Sequence, residues 1–411
     1  MGVGGSHQFP GSGVREVSEL REVWITGIGL LTCLGEGLEA NWARLERGDA
    51  AVYDDKSFAP YIVHTLAPMS FDKFIPKKSD QRQMETWQRV GVYTAGMALA
   101  DAGVAGNAEL LDRADMIVAA GGGERDTAVD TAIMAGLRKT NTPGAFLNER
   151  LMSDLRPTLF LAQLPNLLAG NISLVHGVVG SSRTFMGEEA AGVDAIRVAQ
   201  ARIAAGQSEL TLVGGAYNGA RWDVLLAFEL GGVVLKNKFA PVWDRGPEGG
   251  IAFATMGAFL VLESEQHAKA RGARPRARIS QVFSDRNPRK PGQAEISLRR
   301  QWDAIAPQID RAHAAVISGA SGFEPATSAE RSVLKDIGLP VRNTGTYIGH
   351  GVDTQFMANL GIGCATIDHG KLFAPAGSGD VGASPPGLSQ IVVTSVGNWR
   401  GEGLALLERV D

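Results

Sequence analysis

Three short, almost wholly apolar runs constrain this chain more than any other feature. They are Ala114-Asp-Met-Ile-Val-Ala-Ala120, Glu209-Leu-Thr-Leu-Val-Gly-Gly215 and Ala314 to Ser318. A strand with one wet face alternates apolar and polar residues; these runs do not, so they suit strands buried on both faces and covered by helices above and below. Glu22 to Leu31 is a further β-rich run ending in glycines, and Ile251 to Leu262, Ala277 to Phe283, Gln390 to Ser395 and Leu404 to Val410 also read as strands. Helical patterns separate them at Leu38 to Leu45, Gln81 to Ala102 (closed by Gly103), Leu155 to Leu168 and Glu189 to Ala205. Asp49 to Asp80 is polar and proline-bearing, and Asn171 to Gly180 reads as a loop. The alternation predicts an α/β architecture, without a short solenoid repeat but with a weak echo between the two halves.

A formal charge of -4 over 411 residues, with Lys and Arg dispersed, gives no footprint for nucleic acid or an anionic membrane. The two cysteines, Cys33 and Cys364, lie far apart, without the spacing of a disulfide framework or a zinc site, which fits a reducing cytoplasm. No apolar run approaches the ~20 residues of a membrane span, and the N-terminus lacks the pattern of a secretory leader. Residues 1–21, rich in glycine, read as a flexible extension. The glycines form no phosphate-binding GxGxxG between strand and helix, so neither a cofactor nor a metal is expected.

Several stretches resemble the β-ketoacyl-acyl-carrier-protein synthases, the elongating condensing enzymes of the thiolase superfamily. Val23-Trp-Ile-Thr-Gly-Ile-Gly-Leu-Leu-Thr-Cys-Leu-Gly35 is similar to that family's opening strand and turn. Pro165 to Ser173 with His176 to Gly180 resembles the approach to the nucleophile, and Leu212-Val-Gly-Gly215 the strand that follows the nucleophile helix. Pro241-Val-Trp-Asp-Arg-Gly246, Leu260-Val-Leu-Glu263 and His267-Ala-Lys-Ala-Arg-Gly272 are similar to the middle of the family. The resemblance implies a thiolase-like, duplicated, five-layered α/β/α/β/α architecture, with halves at 22–240 and 241–411 and usually a tight dimer.

It also implies a set of catalytic positions. The family chemistry uses a cysteine thiolate to hold the acyl group, two histidines to stabilise the enolate left by malonyl decarboxylation, and a supporting lysine. The segment Gly180 to Ala195 contains no cysteine; matching the helix start puts Glu189 at the nucleophile position, or Glu188 with a one-residue shift. A carboxylate there would form a mixed anhydride that water destroys. The first histidine position is Ala320, or Gly319 across a one-residue gap; Gly345 takes the lysine position, and His350 retains the second histidine. Val396 and Asn398 stand where the C-terminal gate loop carries phenylalanines, and Thr255 stands at a family glutamate.

Glu188 and Glu189 also have a purely structural reading, since carboxylates in a first helical turn gain ~0.3–1 kcal/mol from unpaired N–H groups and the helix dipole. Three functions follow from the resemblance. The first is a synthase homologue of fatty-acid or polyketide synthesis without condensing activity, acting as partner subunit of an active synthase in a homo- or heterodimer. The second is a residual malonyl-carrier-protein decarboxylase or acyltransferase using Glu189 and His350. The third is a module that binds acyl-carrier protein or an acyl chain.

Overall fold

Side chains along the buried strands alternate between two apolar cores, as a pleat of period two requires. In the strand Asp115–Ala119, Met116 and Val118 enter one core while Ile117 and Ala119 enter another. In Gln390–Val396 the split is Val392 and Val396 against Ile391 and Val393. The computed structural model in which this is seen describes residues 20–288 and 290–410. The expected extension over 1–21 lies outside the described residues except for Leu20 and Arg21. Arg21 is anchored: its N–H donates to the Ala204 carbonyl at 2.9 Å, and its guanidinium pairs with Glu209.

Ten strands form one continuous sheet path. In chain order they are β1 (Val23–Thr32), β2 (Asp115–Ala119), β3 (Ser182–Phe185), β4 (Leu210–Asn218), β5 (Phe253–Ser264), β6 (Ala277–Pro288), β7 (Ala314–Ser318), β8 (Val341–Asn343), β9 (Gln390–Val396) and β10 (Arg400–Glu408). Their spatial order is β8-β7-β9-β10-β6-β1-β5-β4-β2-β3. Reading outward from the β6/β1 contact, both sides run first, fifth, fourth, second, third strand. In each, the outer three strands are parallel and the inner pairings antiparallel. The echo between the halves is therefore topological. β5 lies between β1 and β4 and so stands with the first five strands although it follows residue 240.

Six helices complete the layers: α1 (Thr86–Asp101), α2 (Leu167–His176), α3 (Glu189–Ala204), α4 (Gln293–Ile305), α5 (Ala326–Ile337) and α6 (Gln355–His369). α1 and α2 cover the outer face of the first half-sheet; α4 and α5 cover that of the second. Between the half-sheets lie α3 and α6, with Val193, Ile196, Phe356, Met357 and Leu360 in the central core. This is the thiolase-like α/β arrangement. Among the described residues no helix is long and apolar enough to cross a membrane.

The expected loop at Asn171–Gly180 is instead mostly helical: α2 runs from Leu167 to His176. Gly170, Asn171 and Ser173 weaken its local propensity, but Leu168, Ala169 and Ile172 bury one face, and that tertiary contact decides the outcome. The expected helix Leu155–Leu168 shrinks to Pro157–Ala162, ending before Pro165. Two further helices, Thr127–Leu137 and Pro143–Asp154, were not legible, since each keeps most of its surface exposed and shows no sharp apolar stripe.

Candidate functional site

Glu189 is the first residue of α3 and is 4 % exposed. His350 follows the turn after β8; its backbone N–H donates to Ala252 and its carbonyl accepts from Ala254, both at 2.9 Å, which pins it against the start of β5. The two side chains meet in the interior, with His350 Nε2 3.0 Å from Glu189 Oε1. Burial pushes the Glu189 carboxyl up, but the hydrogen bond and charge of His350, helped by the backbone N–H groups of Glu189 and Asn398, outweigh it and leave it below its ordinary value. Glu189 is thus held as a carboxylate, and the only Nε2 donor of His350 is committed to it.

The residues expected at the other two family positions, Ala320 and Gly345, lie close together on a neighbouring turn. Ala320 is buried, and its carbonyl accepts from Asn343 Nδ2 at 2.9 Å. A Cβ on Gly345 would lie 3.2 Å from Asn343 Oδ1 and 3.3 Å from the Ala320 carbonyl, so a side chain there requires its neighbours to shift by a few tenths of an ångström. In the alternative register, a Cβ on Gly319 would approach the Thr394 carbonyl to 2.4 Å. A histidine at 319 cannot be built without moving β9.

Glu188 is the N-cap residue of α3, half-buried, and its side chain makes no capping bond. It lines a cavity of about 490 Å³ together with Gly121, Tyr217, Asn218, Arg221 and Val352. Val352 turns the chain just after His350 with φ 46, a left-handed conformation that a β-branched residue adopts only under constraint from its surroundings. Thr255 is buried and donates to Asn218 Oδ1 at 2.7 Å. Val396 and Asn398, expected in a gate loop, are both buried; neither side-chain amide atom of Asn398 has a hydrogen-bond partner among the described residues.

Two buried acids went unnoticed in the sequence. Asp353 is fully buried three residues after His350; burial, reinforced by the charge of Glu189, raises its carboxyl well above the ordinary value against a hydrogen bond from Thr354 and a backbone N–H of Gly121. Glu330, on α5, accepts from Ser318 Oγ at 2.6 Å and Thr394 Oγ1 at 2.5 Å, and burial raises its carboxyl too. Nothing in sequence distinguishes these from solvated helix-start and helix-face acids. The cysteines lie elsewhere and are inert: burial pushes the Cys33 thiol up to about 12 and the Cys364 thiol further still. Cys33 Sγ is 3.7 Å from His64 Nδ1, but burial first and the Arg245 charge second bring His64 down to about 3, so it is a neutral neighbour.

Carboxylate, lone histidine and tightly packed glycines occupy a framework shared with known proteins. The Vibrio cholerae 3-oxoacyl-acyl-carrier-protein synthase 2 is 25% identical over 269 residues, which cover 63% of this chain and 62% of that protein. The chain thus matches less than two thirds of that relative's length. A beta-ketoacyl synthase structure from Burkholderia phymatum superposes with TM-score 0.77 at 19% identity, covering 95% of this chain and all of that one. The structure of the ishigamide ketosynthase/chain length factor gives TM-score 0.77 at 18% identity with the same coverage. The profile of the beta-ketoacyl synthase N-terminal domain matches residues 20–268. That stretch is more than half of the sequence and carries β1 to β5 with the Glu189 helix start, so the chain belongs to the beta-ketoacyl synthase family.

Proposed function

We propose that this chain is a non-condensing member of its family that acts by pairing with an active, cysteine-bearing synthase. The observation that carries the reading is the buried 3.0 Å contact between Glu189 and His350. If Glu189 and His350 hold the nucleophile and second-histidine positions that the resemblance implies, a carboxylate stands in place of the thiolate that holds the acyl group, and the histidine donor that would face the enolate is taken up by it. Tight packing around Gly319 and Gly345 supports the same reading. The likeness to a ketosynthase/chain length factor structure fits a paired role in fatty-acid or polyketide synthesis. The purified chain, given acyl- and malonyl-carrier-protein substrates, is expected to form no β-ketoacyl product. Captured at native expression level, it is expected to bring down a synthase in stoichiometric amount by mass spectrometry. Condensation by the chain alone overturns the proposal.

The same Glu189–His350 contact is an acid–base pair and so favours one second reading, residual malonyl-carrier-protein decarboxylation or acyl transfer. Against it, the ionised Glu189 repels a malonate carboxylate. If decarboxylation is measured, Glu189→Ala and His350→Ala must each abolish it; retention in either variant removes this reading. Carrier-protein binding without turnover is compatible with the first proposal and is read by titrating acyl-carrier protein against the purified chain.

A further inference from the structure

On the far side of the second half-sheet, a groove of about 450 Å³ opens between α5 and the segment before β9. None of its lining residues takes part in the Glu189–His350 contact. Its floor is Trp243, 4 % exposed, and its apolar walls include Leu334, Leu339, Val341 and Val381. Gly379 lies flat on the indole: a Cβ there would come within 2.5 Å of Trp243 Cγ, so any other residue would displace the floor. The indole is fixed at its edge by Nε1 donating to Asp380 Oδ1 at 3.0 Å. That carboxylate oxygen also accepts the Asn343 N–H at 2.9 Å, which ties the floor to the end of β8. The floor is rigid rather than a chance gap.

Two cations line the groove on its α5 side. Arg331 and Lys335 stand one helical turn apart on α5, both exposed, and neither has an ion-pair partner among the described residues. The Arg331 guanidinium lies over the Trp243 ring, 5.2 Å from its centroid, and donates to the Trp243 carbonyl. Of the nearby carboxylates, Asp336 pairs with Arg299, Asp244 accepts the N–H of the groove-lining Ser378, and Asp380 accepts from the Trp243 indole. An apolar trough of ligand-pocket size, flanked on its α5 side by two cations that form no ion pair among the described residues, suits an apolar body carrying a negative charge.

We propose that this groove binds a small amphipathic carboxylate, its apolar part against Val381 and the apolar wall and its carboxylate between Arg331 and Lys335. The test is calorimetric titration of the full chain with 2-naphthoate and, separately, with the uncharged 2-naphthylmethanol. Saturable one-site binding of 2-naphthoate is expected, at least tenfold tighter than the alcohol. Arg331 also supports the floor, so Lys335→Glu and Val381→Asp, both at exposed positions, are the variants of choice, with melting temperature checked in each. Lys335→Glu is expected to weaken naphthoate at least tenfold without changing the alcohol, and Val381→Asp to weaken both. Absence of saturable binding, equal affinity for acid and alcohol, or unchanged binding in folded Lys335→Glu and Val381→Asp proteins overturns the proposal.

Discussion

At the scale of residues, the interior acids near His350 titrate in opposite directions, and the difference is measurable. Asp353 has a raised value in the folded state, so its stabilising contribution is complete below its unfolded value of 3.8 and is lost as pH rises toward the folded value. Asp353→Asn should therefore gain stability relative to wild type as pH climbs from about 4 to neutrality, read as a growing difference in denaturant midpoint. Glu189 is lowered, so its contribution is present above 4.5 and disappears as pH falls through the folded value. His350→Ala, which strands the Glu189 carboxylate, should cost about 3–5 kcal/mol near pH 7 and less under acid conditions. A pH-independent penalty would show that the pair is not ionic. Glu189→Cys should leave condensation absent, because Ala320, Gly319 and Gly345 still supply no donor; product formation by that variant alone would contradict this. Glu189 and His350 were singled out in the sequence by the motifs around them, Glu189 with Glu188 as its alternative, and the structure brings Glu189 and His350 into contact. Asp353 and Glu330 were not legible there, since a sequence records a polar residue but not whether helices close over it.

Among elements, the central helices carry the tightest constraint. Gly192 on α3 faces the backbone after His350, and a Cβ there would lie 2.1 Å from the Asp353 carbonyl. Gly192→Ala should therefore destabilise by about 1–3 kcal/mol, as overpacking does, and disturb the Glu189–His350 contact together with it. A thermal melt checks the first effect and the His350 ring resonances the second. Strands were read more securely than helices because burial on both faces leaves an uninterrupted apolar run. α2 was missed for the opposite reason: its apolar face is only three residues, set among glycine, asparagine and serine, and packing against α1 makes it a helix.

For the whole molecule, the repeated strand order carries more than the residue pattern did. We propose that the junction of the two halves lies between Ser264 and Ala277, where β5 ends and β6 begins, rather than at 240/241. The halves meet through β1 and β6 and share α3 and α6 in one central core, so they should unfold together. Calorimetry is expected to show a single transition, and a fragment ending near residue 270 to remain unfolded by circular dichroism; two resolved transitions would contradict the shared core. The burial of Cys33 and Cys364 has a consequence for any mixed assembly. Under native conditions this chain should be silent to thiol-directed alkylating reagents. In a complex with a cysteine-bearing synthase, the label would then report the partner's accessible thiols alone, making this subunit a blank background for them.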